Sequence, residues 1–239
     1  MNTEFQRIVD FRRSNRGFDP LVEVPDEVIH TSLARAILSP NSSNMQLWEF
    51  YWLSTPEAIQ AMTPICLNQR AASTAKQMVV FVTRRDKWKQ RANWNLNLIK
   101  SAIKGEPNKG QKKGLNYYGK LMTIIYTNDP FGILTFLRRS MSFIMGLNKP
   151  FFRLGGLASQ RITVHKSCAL AAQTFMLSIS AEGFHTCPME GFDELRLKRY
   201  LKLPKGAEIN MVVSVGAGTE AGVWGERNRL AFDEVVFKK

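Results

Sequence analysis

Phe5, Ile8, Val9 and Arg12 lie at helical spacing and predict a first helix from Thr3 to about Arg13. The Ser-Asn-Arg-Gly turn ends it, with Gly17 permitting a positive φ. Pro25 at a first-turn position, followed by Asp26 and Glu27, opens a second helix to about Leu38. Ser39-Pro40-Asn41 stops that helix, and the alternating aromatic run Trp48 to Leu53 reads as a strand. Thr55 as N-cap and Pro56 behind it start a third helix reaching about Cys66. Met78 to Val82, apolar throughout and bounded by charge, reads as a buried strand. From Asp86 to Gly156 the pattern is helical but irregular, broken by Gly105, Pro107, Gly110, Gly114, Pro130, Pro150 and Gly155-Gly156. Ile162 to Glu182 carries small and apolar residues almost all round, as a helix in a core or at a subunit contact does, and Gly183 is its expected C-cap. A short helix from Asp193 to Leu201 and a strand from Ile209 to Val215 follow. Beyond Gly218, Gly222 and Gly225 the tail reads as extended, in a form suited to wrapping a second subunit. Helices around a small central sheet make the chain α+β.

Composition narrows this picture in three ways. At 239 residues, with 44% apolar residues and 15 Phe, the chain has the length and material for one domain with a full core. Cys66, Cys168 and Cys187 are odd in number and lack metal-ligand spacing, which fits free thiols in a reducing compartment. No signal peptide is apparent in the polar stretch Met1 to Asp10, and no run of 18 apolar residues is free of charge, so the expected location is the cytoplasm. The net charge of +13 is concentrated rather than spread. Arg84 to Lys166 holds 17 Lys and Arg against three acids, a net of +14, and the remainder of the chain sums to −1. Such a segment draws anions, whether nucleotide, nucleic acid or a membrane surface.

Four polar motifs carry candidate chemistry. Arg12, Arg13 and Arg16 crowd a helix end, and Ser14 adds a hydroxyl. Guanidinium is the best planar, permanently charged partner for a phosphate monoester. Arg227 and Arg229 sit two apart in the tail, a spacing that in extended chain turns both side chains the same way. Taken singly, each group reads first as an exposed basic face. Ser42, Ser43, Asn44 and Gln46 pack hydroxyls and amides between a helix end and a strand, donors and acceptors that suit a polyol chain or a ring edge. An ordinary Asx/Ser turn is the other reading. In Cys187 to Gly191, Pro188 shapes the backbone and Gly191 permits close approach. No Walker or Gly-x-Gly-x-x-Gly loop is present, and His30, His165 and His185 have no metal-ligand companions.

Taken in order, these motifs resemble the FMN-dependent nitroreductase family. The pattern is an Arg-x-Ser-x-basic turn (Arg12 to Arg16), a Ser-Ser-x-Asn-like loop before Trp48 (Pro40 to Gln46), an Asn before a buried strand (Asn68), a Pro-x-Glu-Gly-Phe segment (Pro188 to Phe192) and a basic-x-basic pair (Arg227 to Arg229). It covers about residues 1–83 and 160–239, leaving 86–158 as a divergent, basic helical cap within one domain. The resemblance implies a nitroreductase-like fold, a mostly antiparallel central sheet and a domain-swapped homodimer with two sites at its interface. It implies that Arg12, Arg13, Ser14, Arg227 and Arg229 hold the FMN phosphate and that Arg16 and Asn68 meet the pyrimidine edge. The backbone at Pro188, Met189, Glu190 and Gly191 would approach N5 and O4, and Ser42, Ser43, Asn44 and Gln46 would come from the partner subunit. A cation near N1 and O2 stabilises negative charge on the flavin, so no protein nucleophile is implied and no residue is singled out as catalytic. Two departures stand out. Ala71 occupies a position where many relatives carry lysine, with Arg70 as the candidate replacement, and Leu47 replaces the Pro of Gln-Pro-Trp.

The implied activity is reduction of flat, electron-poor acceptors (nitroaromatics, quinones or activated enones) by NADH or NADPH, in a ping-pong cycle through FMN. Reductive dehalogenation and oxygen-dependent flavin cleavage share the fold, and a basic nucleic-acid-binding module is the alternative from another class. Against that module, the aromatic residues of the basic segment form no recognisable nucleic-acid pattern. The run Phe131 to Met145 is apolar with a basic interruption, and Phe151-Phe152-Arg153-Leu154 follows. In the family this region caps the flavin's open face. A helix pair packed on the dimer core fits the run equally well, and its apolar and basic residues also suit peripheral contact with an anionic membrane.

Overall fold

The computed structural model describes residues 3–153 and 155–239; Met1 and Asn2 of the leading stretch and Leu154 of the Phe-Phe-Arg-Leu run lie outside the described residues. Helix α1 (Thr3–Phe11) leads into the Ser14–Gly17 turn, and α2 (Asp26–Ile37) follows behind Pro25. Strand β1 (Trp48–Leu53), helices α3 (Pro56–Ile65) and α4 (Arg70–Ser73), and strand β2 (Gln77–Thr83) come next. The Thr55 hydroxyl caps α3 by accepting from the Ala58 amide, as its sequence predicts.

The middle segment contains α5 (Trp88–Ser101), α6 (Lys109–Asn116), a π-helical turn (Tyr117–Leu121), α7 (Met122–Tyr126) and α8 (Ile133–Met145). Asn108 and Gln111 close a capping box on α6. The long α9 (Leu157–Ala181) starts five residues earlier than its apolar pattern predicts, because its first turns carry Ser159 and Gln160. It ends in a Schellman arrangement, with the Phe184 amide on the Ile179 carbonyl and Gly183 at φ +82. Strand β3 (His185–Met189), α10 (Glu194–Tyr200) and β4 (Glu208–Gly216) complete the domain. The tail, expected to be extended throughout, also contains a short helix α11 (Phe232–Val235).

The sheet order is β1-β2-β4-β3, antiparallel at every pairing. The alternation of β2 and β4 divides the core in two. Met78, Val80, Val82 and Val212 face a cluster with Met62, Ile65 and Leu197 beneath α3 and α10. Val79, Phe81, Val213 and Val215 face Ile29, Ala172, Phe175 and Ile179 beneath α2 and α9. Both faces are covered, which explains the unbroken apolar run at β2. A third cluster, around Met45, Leu47, Trp88, Met122, Tyr126 and Val164, ties the middle segment to the Ser42–Gln46 loop.

Strand β3 carries no sequence signature of a strand, because Pro188 lies within it. Its position at the sheet edge explains the tolerance: among the described strands it pairs with β4, its outer side meets only an isolated bridge at Ser14, and an edge strand can spare one ladder donor. Helix α8 inverts the usual arrangement, burying Arg138 and Ser142 while exposing Phe136, Leu137, Phe143 and Ile144. Among the described residues, no helix is long and apolar enough to cross a membrane.

Candidate functional site

The turn after α1 is held by its one buried polar side chain. Asn15 is 1% exposed; its Nδ2 donates to the Thr219 carbonyl (2.9 Å) and its Oδ1 accepts from the Gly17 amide (3.0 Å). The Asn15 amide donates to the Thr186 carbonyl of β3, and the Arg16 amide to Gly222 (2.7 Å). Gly222 is required there, since a Cβ would sit 1.8 Å from Asn15 Oδ1 and 2.7 Å from the Gly17 backbone. His185 continues the scaffold: its Nδ1 accepts from the Gly218 amide, and burial lowers its pKa, favouring the neutral ring.

This scaffold presents Arg12, Arg13, Ser14 and Arg16 to a cleft of about 140 Å³ that Trp224, Glu226, Arg227 and Arg229 complete. Two sequence motifs more than 200 residues apart therefore meet, as their chemistry predicts. Arg227 binds the end of α1, donating to the carbonyls of Asp10 (2.8 Å), Arg12 (3.0 Å) and Val9 (3.3 Å), which a helix leaves without partners. Arg13 donates to Gly225, and Arg229 to the neighbouring Asn228 carbonyl. Arg16 stacks its guanidinium 4.4 Å from the Trp224 ring centroid. The pKa of Arg12 is pushed down, first by burial and then by the charges of Arg227, Arg229 and Arg13. Five guanidinium groups thus converge on one cleft whose lining includes a single acid, Glu226. The nearest ion pair, Arg227 to Asp10, is at 4.0 Å. Such a set is relieved by an anion bearing one to two charges.

The cluster continues along one surface. Arg70, at the start of α4, lies against the same turn, where a Cβ on Gly17 would be 3.0 Å from its guanidinium. Ala71 is buried in the core, so Arg70 rather than position 71 brings positive charge to this surface. Leu67 and Asn68 adopt left-handed backbone, φ 57 and 53, and Leu67 does so while exposed. Gln69 then donates to the Gly191 carbonyl (2.6 Å), and the Asp193 amide to Ile65 (2.8 Å), bringing the Asn68 and Glu190-Gly191 segments together. Pro188 and Met189 end β3 beneath them, and Glu190 and Gly191 are exposed. Gln69 and Trp224 are residues that sequence reasoning missed: a lone amide and a lone tryptophan in loops carry no pattern. The Cys187 thiol is buried and its pKa raised by that burial, with Arg16 pulling the other way, which leaves it a structural thiol.

The Ser42–Gln46 loop lies elsewhere. Ser43, Asn44 and Gln46 all have left-handed backbone, φ 57, 47 and 47. Side chains from the middle segment hold them there: Ser43 Oγ and Tyr117 Oη are 2.7 Å apart, Tyr118 donates to the Ser43 carbonyl, and Asn95 donates to the Asn44 carbonyl. Non-glycine residues in this conformation cost of order 1–3 kcal/mol each and persist where surrounding contacts demand them. The Ser42 amide donates to Ser167 Oγ, in the middle of α9, whereas the arginine cleft adjoins β3, just past Gly183. From Ser167 to the end of the helix at Ala181 is about 21 Å at 1.5 Å per residue. The loop also leads into β1, on the sheet edge opposite β3. Within one chain the loop therefore packs on the middle of α9 beside β1, and the arginine cleft lies by β3, beyond the end of that helix.

Among the described residues, no group of three His, Cys, Asp or Glu is placed to hold a metal ion. The structure so far defines an α+β protein with a small antiparallel sheet, a cationic cleft and a strained polar loop. The family model for the nitroreductase family matches residues 9–217, running through the middle segment as well, and the chain belongs to that family. It is 26% identical to protein DrgA of Synechocystis over 87% of this chain and 81% of that protein. It is 22% identical to a Bacillus subtilis protein named provisionally as an NAD(P)H nitroreductase, YdgI, over 92% and 90% of the two chains. The fold is shared with a protein of Exiguobacterium sibiricum solved in complex with FMN, at a TM-score of 0.67 and 22% identity, covering 98% of this chain and 97% of that one.

Proposed function

We propose that this chain is an FMN-dependent oxidoreductase that passes two electrons from NADH or NADPH to a flat, electron-poor acceptor. The observation that carries this reading is the cleft of five guanidinium groups, whose charges repel one another and face one acid. A phosphate monoester fits that deficit, and a terminal phosphate is what FMN offers to a protein. Arg12, Arg13, Ser14, Arg227 and Arg229 hold the phosphate in this reading. Arg16 and Arg70 place positive charge beside Asn68 at the pyrimidine edge, and the backbone from Pro188 to Gly191 lines the reactive side of the ring. FMN, when bound, supplies hydride transfer at N5, so the side chains bind and orient rather than attack. The balance is NAD(P)H plus a proton plus acceptor, giving NAD(P)+ and the two-electron-reduced acceptor, with donor and acceptor using the site in turn.

Ser42, Ser43, Asn44 and Gln46 complete the site of a second subunit in this reading. Their place beside β1, on the sheet edge opposite β3 and the arginine cleft, supports it, since residues so placed can serve one ligand across a twofold axis. The segment 86–158 then acts as the cap over the acceptor. The test is direct. Purified protein reconstituted with FMN should turn yellow, lose its visible band under NAD(P)H without oxygen, and regain it with a quinone. A protein that neither retains FMN nor oxidises NAD(P)H in its presence rules the reading out.

A further inference from the structure

The middle segment encloses a cavity of about 510 Å³ beside the Ser42–Asn44 loop, within the size range of small-molecule sites. Its walls include Leu121, Met122 and Ile125 from the π turn and α7, with Phe151 and Phe152 from the connection between α8 and α9. The π turn brings Tyr117, Leu121, Met122 and Ile125 to the same lining, and such turns recur at functional sites. Among the described residues, no lining residue carries a charge, although the surrounding segment has a net charge of +14. Gln160 is consumed in the wall, donating to the Ile125 carbonyl (2.6 Å) and accepting from Asn128 (2.8 Å). The Ser43 and Tyr117 hydroxyls, 2.7 Å apart, give the cavity a polar side at the loop.

We infer that this cavity takes the uncharged, apolar chain of the acceptor, making the preferred substrate a neutral, chain-bearing ring such as an alkylated quinone. The inference rests on the reading above, in which the loop faces the partner's flavin. A charged acceptor entering here would lose its hydration and gain no counter-charge, whereas each methylene of a neutral chain leaves water for apolar walls. The +14 charge thus lies outside this lining and does not select the acceptor there.

The experiment uses the FMN-loaded protein and a series of 2-alkyl-1,4-benzoquinones from methyl to decyl, with a sulfonated quinone as the charged probe. Each turnover moves two electrons and two protons, from NAD(P)H and one solvent proton to the hydroquinone. Anaerobic bleaching by NAD(P)H is recorded first, so that the donor reaction is known to work. The expected result is that kcat/KM rises about three- to fourfold per methylene until the cavity fills, and that the sulfonated quinone is poorer than methyl. Ile125→Trp, which occupies the cavity, should flatten that rise, and Leu121→Trp should do so from the partly exposed rim if the first variant folds poorly. A flat chain-length profile, or preference for the sulfonated probe, with bleaching intact, overturns the inference and leaves the flavoenzyme reading standing. Loss of bleaching in the parent protein removes both.

Discussion

The two edges of the sheet present different chemistry. At the β3 end, permanent charges converge on a cleft whose backbone is fixed by Asn15, His185 and the absence of a side chain at Gly222. At the β1 end, hydroxyls and amides sit on left-handed backbone beside an uncharged cavity. The first arrangement accumulates repulsion that an anion relieves. The second accumulates backbone strain, which the Tyr117, Tyr118 and Asn95 contacts hold in place. In the proposed reading the charged end identifies the cofactor and the uncharged end chooses the acceptor, so each should respond to a different kind of change.

The strongest test of this division mixes two inactive proteins, Arg12→Ala and a loop variant such as Ser43→Trp. If each site combines one subunit's arginines with the other's loop, subunit exchange should restore about a quarter of parent activity, since half the dimers are mixed and each has one intact site. Activity that stays at the level of the separate variants would place both sets in one subunit's site. Arg12→Ala alone should weaken FMN binding about 10- to 100-fold, the worth of a charge-assisted bond, while leaving riboflavin binding nearly unchanged. Equal losses for the two flavins, followed by fluorescence quenching, would remove the phosphate assignment.

Gly222→Ala forces a Cβ into Asn15 and the Gly17 backbone, and should cost about 1–3 kcal/mol or more of stability in thermal melts. At the other end, Ser43→Gly relieves a left-handed backbone but gives up the Tyr117 hydrogen bond, so stability should change by less than about 1 kcal/mol in thermal melts while turnover falls. The smallest effect expected is the pH response of His185. Its folded pKa lies below the ordinary 6.5, so the unfolded chain binds the proton more readily. Stability from this group is present above about pH 6.5 and is lost as pH falls through the lowered folded value. His185→Gln should therefore show a shallower acid-side decline in melting temperature than the parent protein.

Much of this molecule is legible in its residues. The Thr55 cap, the Pro25 start, the Gly183 stop and the unbroken apolar run of β2 mark elements where the structure has them, because each signal is local and acts within a turn. The arginine motifs taken singly read as basic surface, and only their order along the chain suggests a shared anion site. Strand β3 was hidden because Pro188 argues against a strand until its place at the sheet edge is known. Gln69 and Trp224 were hidden because their roles exist only once distant loops meet.

The sequence by itself determined most element types outside β3 and the tail, the α+β class and the family, through periodicity, caps and a set of ordered polar motifs. Only the tertiary structure decided that Arg227 closes on the end of α1, that Arg70 instead of Ala71 supplies charge beside Gly17, and that the serine loop lies by the sheet edge opposite the arginines. The physical reason is range. Helix and strand signals are set by neighbours a few residues away, whereas the convergence of charges and the enclosure of an uncharged cavity depend on packing between segments that the chain order keeps apart.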